Sequence, residues 1–268
     1  LDDIEDMTVG FYLDTELVGE AVTDDEGFAR LKWMPAGQGD YELSVKVKTE
    51  GVKEEYAEEM AGLESVPLLV SVRPRETRFV VVDLDHTVVE SSFLYVLLGQ
   101  AKPMEGSVEM MKKIAEQYSV IYLTHRPDLL THLSKNWLRK HGYPRGVLLV
   151  STIKQVLGGS GDFKTGRLMD VRVKYPNISL GIGDKLSDAE AYVANGMTAY
   201  LIPYYKKKSK DMRRMARDIR LLGDQEGLQV VRNWQEIEQG LFQGKKYPAK
   251  EFAKWLDKQA DWQEELED

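Results

Sequence analysis

The run Phe79-Val80-Val81-Val82, followed at once by Asp83-Leu84-Asp85-His86-Thr87, constrains this chain more than any other stretch. Four consecutive apolar residues, mostly β-branched, read as a strand buried on both faces, as in the middle of a parallel sheet. Side chains two apart on a strand point the same way. The carboxylates of Asp83 and Asp85 therefore project together from the strand's carboxyl end, where open α/β sheets bind ligands. Two carboxylates this close resist joint ionisation unless a cation lies between them or one keeps its proton. The pair points to a Mg²⁺ site, an acid/base pair, or both.

From Thr77 onward, strands alternate with helical stretches, the grammar of βαβ units and a parallel sheet. Ser91–Leu98 reads as an apolar flap or short helix. Pro103–Tyr118 reads as an amphipathic helix with Val108, Met111, Ile114 and Ala115 on one face. Val120–Leu123 is a second buried strand ending in Thr124-His125-Arg126-Pro127. Asp128–His141 follows as a helix closed by Gly142. Val147–Val150, Ile178–Ile182 and Thr198–Ile202 give a third, fourth and fifth strand, and the fourth runs into Gly183-Asp184, with Asp188 beyond. A doubly wound, five-stranded sheet would bring Asp83, Asp85, Thr124, Asp184 and Asp188 to one edge, with Lys164 nearby between the third and fourth strands. Phosphoryl transfer needs such a set: a nucleophile, a proton donor for the leaving oxygen, a divalent cation, and donors for the phosphoryl oxygens. Each residue has a plainer reading: Thr124 as a helix cap, Lys164 as a solvated lysine, Asp184 and Asp188 as acids favoured by a helix dipole. Their joint order and position outweigh these.

The net charge of −8 is unevenly spread, with −13 on residues 1–66 and +5 on residues 67–268. This change, beside the junction Arg73-Pro74-Arg75, predicts two domains, residues 1–73 and 74–268. The basic balance falls on the part holding Asp83 and Asp85, as suits a phosphorylated or otherwise anionic substrate. Residues 8–72 read as β: Val9–Leu13, Phe28–Trp33, the strictly alternating Tyr41–Lys48, and Val66–Val72, separated by turn-rich segments. The phrase ELVGEAVTDDEGFARLKW resembles small bacterial immunoglobulin-like or transthyretin-like sandwich modules. The chain has no cysteine, which excludes disulfides, thiol catalysis and thiolate metal sites. No apolar run approaches the roughly 18–20 residues of a membrane span, and no signal peptide is visible, so a soluble protein is expected. The chain opens on Leu1 rather than Met and reads as a trimmed or processed form, with no compartment signal.

Asp83-Leu-Asp-His-Thr87, Thr124, Lys164 and Gly183-Asp184…Asp188 resemble the four motifs of the haloacid-dehalogenase superfamily of phosphohydrolases, over roughly Arg75–Pro203. The stretch VIYLTHRPDLLTHLSKNWLRKHGYPRGVLLVS, with GIGDKLSDAEAY further on, looks like the lipin-type and actin-patch-associated phosphatidate phosphatases. The resemblance implies a Rossmann-like domain and a role for each residue. Asp83 would attack phosphorus and form an aspartyl-phosphate. Asp85 would protonate the leaving alcohol and then deprotonate water. Thr124 and Lys164, joined by His125 and Arg126, would bind the phosphate, with Lys164 also holding Asp83. Asp184 would complete the Mg²⁺ shell with Asp83 and the Asp85 carbonyl, supported by Asp188 and Thr87.

Two positions depart from the lipin-type pattern: His86 stands where glycine is usual, and His125 where a small residue is usual. Both bear on the lipid substrate rather than on the reaction class. The short spacings from Thr87 to Thr124 and from Thr124 to Lys164 leave no room for a cap domain, so the site is expected to be open. An open site suits a large or membrane-bound phosphomonoester, with phosphatidate leading. A protein or polynucleotide-end phosphatase is the alternative on the same residues, and a non-catalytic binding protein the alternative of another class. Lys206–Leu222 forms a basic amphipathic helix, read either as a packed helix with a solvated face or as a contact for anionic substrate or membrane surface through Lys206–Arg220. The absence of a nucleic-acid module and the acidic overall charge argue against nucleic acid. Leu228–Val231 reads as a strand or turn, and Trp234–Leu241 and Ala249–Leu266 as helices whose Trp255, Leu256 and Trp262 pack on the core.

Overall fold

A computed structural model describes residues 4–48, 65–152 and 160–267. The chain divides into two compact units, Leu1–Pro74 and Arg75–Asp268.

In the first unit, β1 (Thr8–Leu13), β2 (Glu16–Val22), β3 (Gly39–Val47) and β4 (Val66–Val72) form one antiparallel sheet in the order β2-β1-β3-β4. The described residues make a single sheet, not the two facing sheets of the expected sandwich. Phe28–Trp33 contributes only an isolated bridge, Thr23 to Ala29. Its start is held in a local turn, since the Asp24 carboxylate accepts from the backbone N–H groups of Glu26 and Phe28. Side-chain capture of nearby N–H groups of this kind competes with strand pairing. Glu16–Val22 pairs with β1 instead, across the two-residue turn Asp14-Thr15, with Asp14 at φ +53°. Its acids and Gly19 blur the alternation that would have marked it as a strand.

The second unit is an α/β domain. Its six-stranded sheet has the order β10-β9-β8-β5-β6-β7, built from β5 (Phe79–Val82), β6 (Ser119–Pro127), β7 (Gly146–Ser151), β8 (Ile178–Gly183), β9 (Thr198–Leu201) and β10 (Leu228–Val230). All five pairings are parallel. The sheet exceeds the expected five strands because Leu228–Val230, three residues long, pairs with β9. β5 is central and wholly buried, which is why its sequence does not alternate. Phe79 and Val81 enter one core layer with Ile121, Leu123 and Tyr192. Val80 and Val82 enter the opposite layer with Met111, Trp137 and Trp234.

The helices are α1 (Phe93–Leu97), α2 (Ser107–Ala115), α3 (Thr131–Lys140, preceded by a 3₁₀ turn at Asp128–Leu130), α4 (Ser160–Lys174), α5 (Leu186–Ala194), α6 (Ser209–Leu222), α7 (Trp234–Gln243) and α8 (Ala249–Glu267). Only α1 and α2 lie among the residues between β5 and β6, so no cap domain is inserted there. In the basic helix α6, Met212, Ala216 and Ile219 are buried. The helix packs on α8, whose Asp261 and Glu264 pair with Arg213 and whose Asp257 pairs with Arg220. Of the basic residues expected to meet a membrane or substrate, Arg213 and Arg220 are thus matched to acids of a neighbouring helix, while Arg214 and Arg217 pair with Asp211 and Asp218 of α6 itself. Within α8, Leu256 is fully buried but Trp262 is exposed, against the expectation that both pack on the core.

Candidate active site

The chain runs from β5 outward to β6 and β7, then returns to the other side of β5 as β8. Strand order therefore reverses at the β5–β8 seam, the place where open α/β sheets open a crevice at their carboxyl ends. Asp83 and Asp184 follow these two strands, and the Asp83 N–H donates to the Ile182 carbonyl at 2.9 Å. Asp83, Asp184 and Asp188 are all buried and offer carboxylate oxygens within 4.8 Å of one another.

One buried cation faces these three acids. The Lys164 ammonium, 1% exposed, lies 2.7 Å from Asp188 and 3.0 Å from Asp83. Burial works against its charge, but Asp83 and Asp188 outweigh that and hold it protonated. The remaining negative charge shows at Asp184, which burial first, then the Asp83 and Asp188 charges, push well above the usual carboxylate range. Asp184 Oδ1 is buried with no hydrogen-bond partner among the described residues. Three converging carboxylates, one ammonium and an orphaned oxygen fit a divalent cation with a preference for hard oxygen ligands.

Asp188 is positioned by local backbone chemistry. It sits in the first turn of α5 and accepts from the Lys185 backbone N–H at 3.4 Å. Gly183 lets its carboxylate come this close, because a Cβ there would stand 2.6 Å from Asp188 Oδ2.

The remaining sequence-predicted residues lie around this centre. Asp85 accepts from Arg126 through both oxygens, at 3.0 Å from Nε and 2.7 Å from Nη2. Arg126 is itself buried and donates to the Ser134 hydroxyl on α3 at 2.9 Å. The guanidinium expected to grip phosphate instead holds Asp85. Thr124 is buried at β6, its hydroxyl accepting from the Arg126 N–H at 3.4 Å. Thr87 is fully buried, and its carbonyl accepts from Trp234 Nε1 at 3.0 Å. His125 is half-buried, its ring 5.6 Å from that of Phe163. His86 takes a left-handed backbone, φ +55°, which accounts for the glycine usual in the lipin-type pattern.

A cleft of about 620 Å³ opens at this edge, lined by Asp85, His86, Ser92, Asp184, Lys185, Leu186, Ser187, Tyr204 and Met215. Ser134, Lys185 and Tyr204 were not singled out from the sequence. Lys185 and Tyr204 follow the ends of β8 and β9, the positional signal that could have found them. Ser134, on the inner face of α3, carried no such signal.

Residues 80–202 match the family model described as "PITM 1-3, LNS2 domain". Membrane-associated phosphatidylinositol transfer protein 2 of Mus musculus is 31% identical over 80 residues, 30% of this chain and 6% of that protein. The chain thus spans a small fraction of this relative. Among solved structures, the Pnkp1/Rnl/Hen1 RNA repair complex aligns at a TM-score of 0.44 and 15% identity, covering 56% of this chain and 52% of that one. The tungstate-bound Class C acid phosphatase from Bacillus anthracis aligns at 0.35 and 21% identity, covering 52% and 60%.

Proposed function

We propose that this chain hydrolyses a phosphomonoester through an aspartyl-phosphate on Asp83, with Mg²⁺ as cofactor. The observation that carries the reading is Asp83 at the β5–β8 seam, 3.0 Å from the buried Lys164 ammonium and grouped with the orphaned Asp184. Lys164 lies against Asp83 and fixes its oxygen in place, as a positioned nucleophile requires. Asp83 attacks phosphorus while the bond to the leaving oxygen breaks, and Asp85 delivers the proton that the departing alkoxide needs. Arg126, anchored by Ser134, sets the resting orientation of Asp85, which must free one oxygen from that fork to reach the leaving group. Thr124 keeps its hydroxyl proton for a phosphoryl oxygen. Water deprotonated by Asp85 then attacks the aspartyl-phosphate, releasing phosphate and restoring Asp83. Asp83 and Asp184 would hold Mg²⁺ beside Asp188, and its charge would stabilise the negative charge shared by the phosphoryl oxygens.

The leading substrate is a large or membrane-bound ester such as phosphatidate. The open cleft supports this, as do the LNS2 match and the phosphatidylinositol transfer protein among the relatives. The test is hydrolysis of 4-nitrophenyl phosphate and of phosphatidate in mixed micelles, with Mg²⁺ or EDTA, by wild type and Asp83→Asn. Mg²⁺-dependent release of phosphate, lost in Asp83→Asn, is expected. Turnover that survives the substitution would overturn the assignment of Asp83.

A further inference from the structure

We propose that His86 and Tyr204 form the leaving-group wall of this site, selecting esters whose alcohol carries a bulky apolar portion over small polar esters. The inference rests on the phosphatase reading above and adds to it what the leaving alcohol must look like.

Three observations support it. The first is backbone geometry. A residue with a β-carbon at φ +55° is held in a sparsely populated conformation, which persists only where the surroundings over-determine it. The second is the contact that does so. The His86 ring stacks on Tyr204 with centroids 3.6 Å apart and planes 15° from parallel. Tyr204 is itself anchored, its N–H donating to the Asp184 carbonyl at 3.3 Å. The stack therefore ties the segment after β5 to the segment after β9 and spans the β8 segment between them.

The third is location. Asp85, the group assigned to protonate the leaving oxygen, lines the same cleft as His86 and Tyr204, whereas the phosphate-side residues Thr124 and Lys164 do not line it. An ester whose oxygen reaches Asp85 must direct its alcohol along this cleft. Tyr204 remains about half exposed, and Leu186 and Met215 line the cleft beside it. A flat aromatic surface with apolar neighbours gains from contact with carbon and gives little to a small polar alcohol. Glycine at position 86 would leave Tyr204 without its stacking partner and remove one side of the wall.

The test separates this wall from catalysis by reading equilibrium binding. In an Asp83→Asn background, affinities for 1-naphthyl phosphate and methyl phosphate are measured with Mg²⁺ by titration calorimetry. The parent is expected to prefer the naphthyl ester. Tyr204→Ala and His86→Gly should each cut that preference about three- to tenfold, the range expected for one aromatic contact. Tyr204→Phe should retain it. Because His86→Gly relieves the left-handed backbone, its melting temperature should not fall below the parent's, which separates loss of the wall from loss of the fold. A parent without preference, or a preference unchanged in both Tyr204→Ala and His86→Gly, overturns the proposal. Turnover by the wild-type protein is followed in parallel. Its absence together with an intact, Tyr204-dependent preference would overturn the phosphatase reading and leave the wall standing.

Discussion

Lys164→Met probes the charge balance of the site most directly. The ammonium is 1% exposed, 3.0 Å from Asp83 and 2.7 Å from Asp188. At an effective dielectric near 20, one unit charge about 3 Å away is worth roughly 5 kcal/mol, and the cost of desolvating the ammonium offsets several kcal/mol of that attraction. Removing one partner of a buried pair costs about 3–5 kcal/mol, since the other charge is left uncompensated. For a domain of this size each kcal/mol lowers the melting temperature by about 2–4 °C. Lys164→Met should therefore melt roughly 6–20 °C below wild type in excess EDTA. The variant leaves three carboxylates with no ammonium, so Mg²⁺ should bind it more tightly and recover more of its melting temperature than in wild type. Differential scanning calorimetry in EDTA and in millimolar Mg²⁺ measures both effects. A melting temperature within about 2 °C of wild type in EDTA, or Mg²⁺ stabilisation smaller than in wild type, would refute the charge argument.

Gly183→Ala places a methyl group 2.6 Å from Asp188 Oδ2, so a loss of about 1–3 kcal/mol in urea unfolding is expected, with weaker Mg²⁺ binding; unchanged values would show that Asp188 has room to move. Asp184 has a folded-state pKa raised above its usual 3.8, so the folded protein holds more protons than the unfolded chain above that value. In EDTA its contribution to stability should then fall as pH rises from about 4 towards neutral, and Mg²⁺ should stabilise more at the upper end of that range; Asp184→Asn should flatten both trends in melting curves. Arg126→Lys exchanges a two-pronged grip on Asp85 for a point charge, and a drop of at least about tenfold in kcat is expected, with KM for 4-nitrophenyl phosphate little changed. Replacing Lys206, Lys207 and Lys208 with Gln should weaken co-sedimentation with anionic liposomes at low salt, by about 1 kcal/mol for each charge near the surface; equal sedimentation would assign the basic segment to packing alone.

The α/β unit was legible because its signals are local and strong. Phe79–Val82 announces a central strand by composition alone, and reactive residues just past each apolar run mark one edge of the sheet. The β unit was harder. Glu16–Val22 hides its strand behind acids and a glycine, while Phe28–Trp33 has strand composition but begins in a turn held by Asp24. The sixth strand, β10, is only three residues long and gains its identity from β9 rather than from its own pattern. In the site, residue types and strand-end positions were readable, but partner choice was not. Arg126 turns to Asp85 and donates also to Ser134, which lies on a different element and carries no signal in the sequence. The stacking of His86 on Tyr204 joins positions more than a hundred residues apart, and no spacing rule reaches that far.

Because the crevice lies on the seam between the first strand of the α/β unit and the fourth, its two halves come from segments about a hundred residues apart. Closing so long a loop costs chain entropy before its contacts repay it, and the acidic cluster is complete only where β8 is docked against β5. Any partial opening that peels β8, β9 and β10 away separates Asp184 and Asp188 from Asp83 before the rest of the sheet is lost. A cation that needs all three acids then binds the closed form alone and raises the free energy of that opening with its concentration. Mg²⁺ dependence of amide exchange in β8 and β9, larger than in β7, would be the record of this seam.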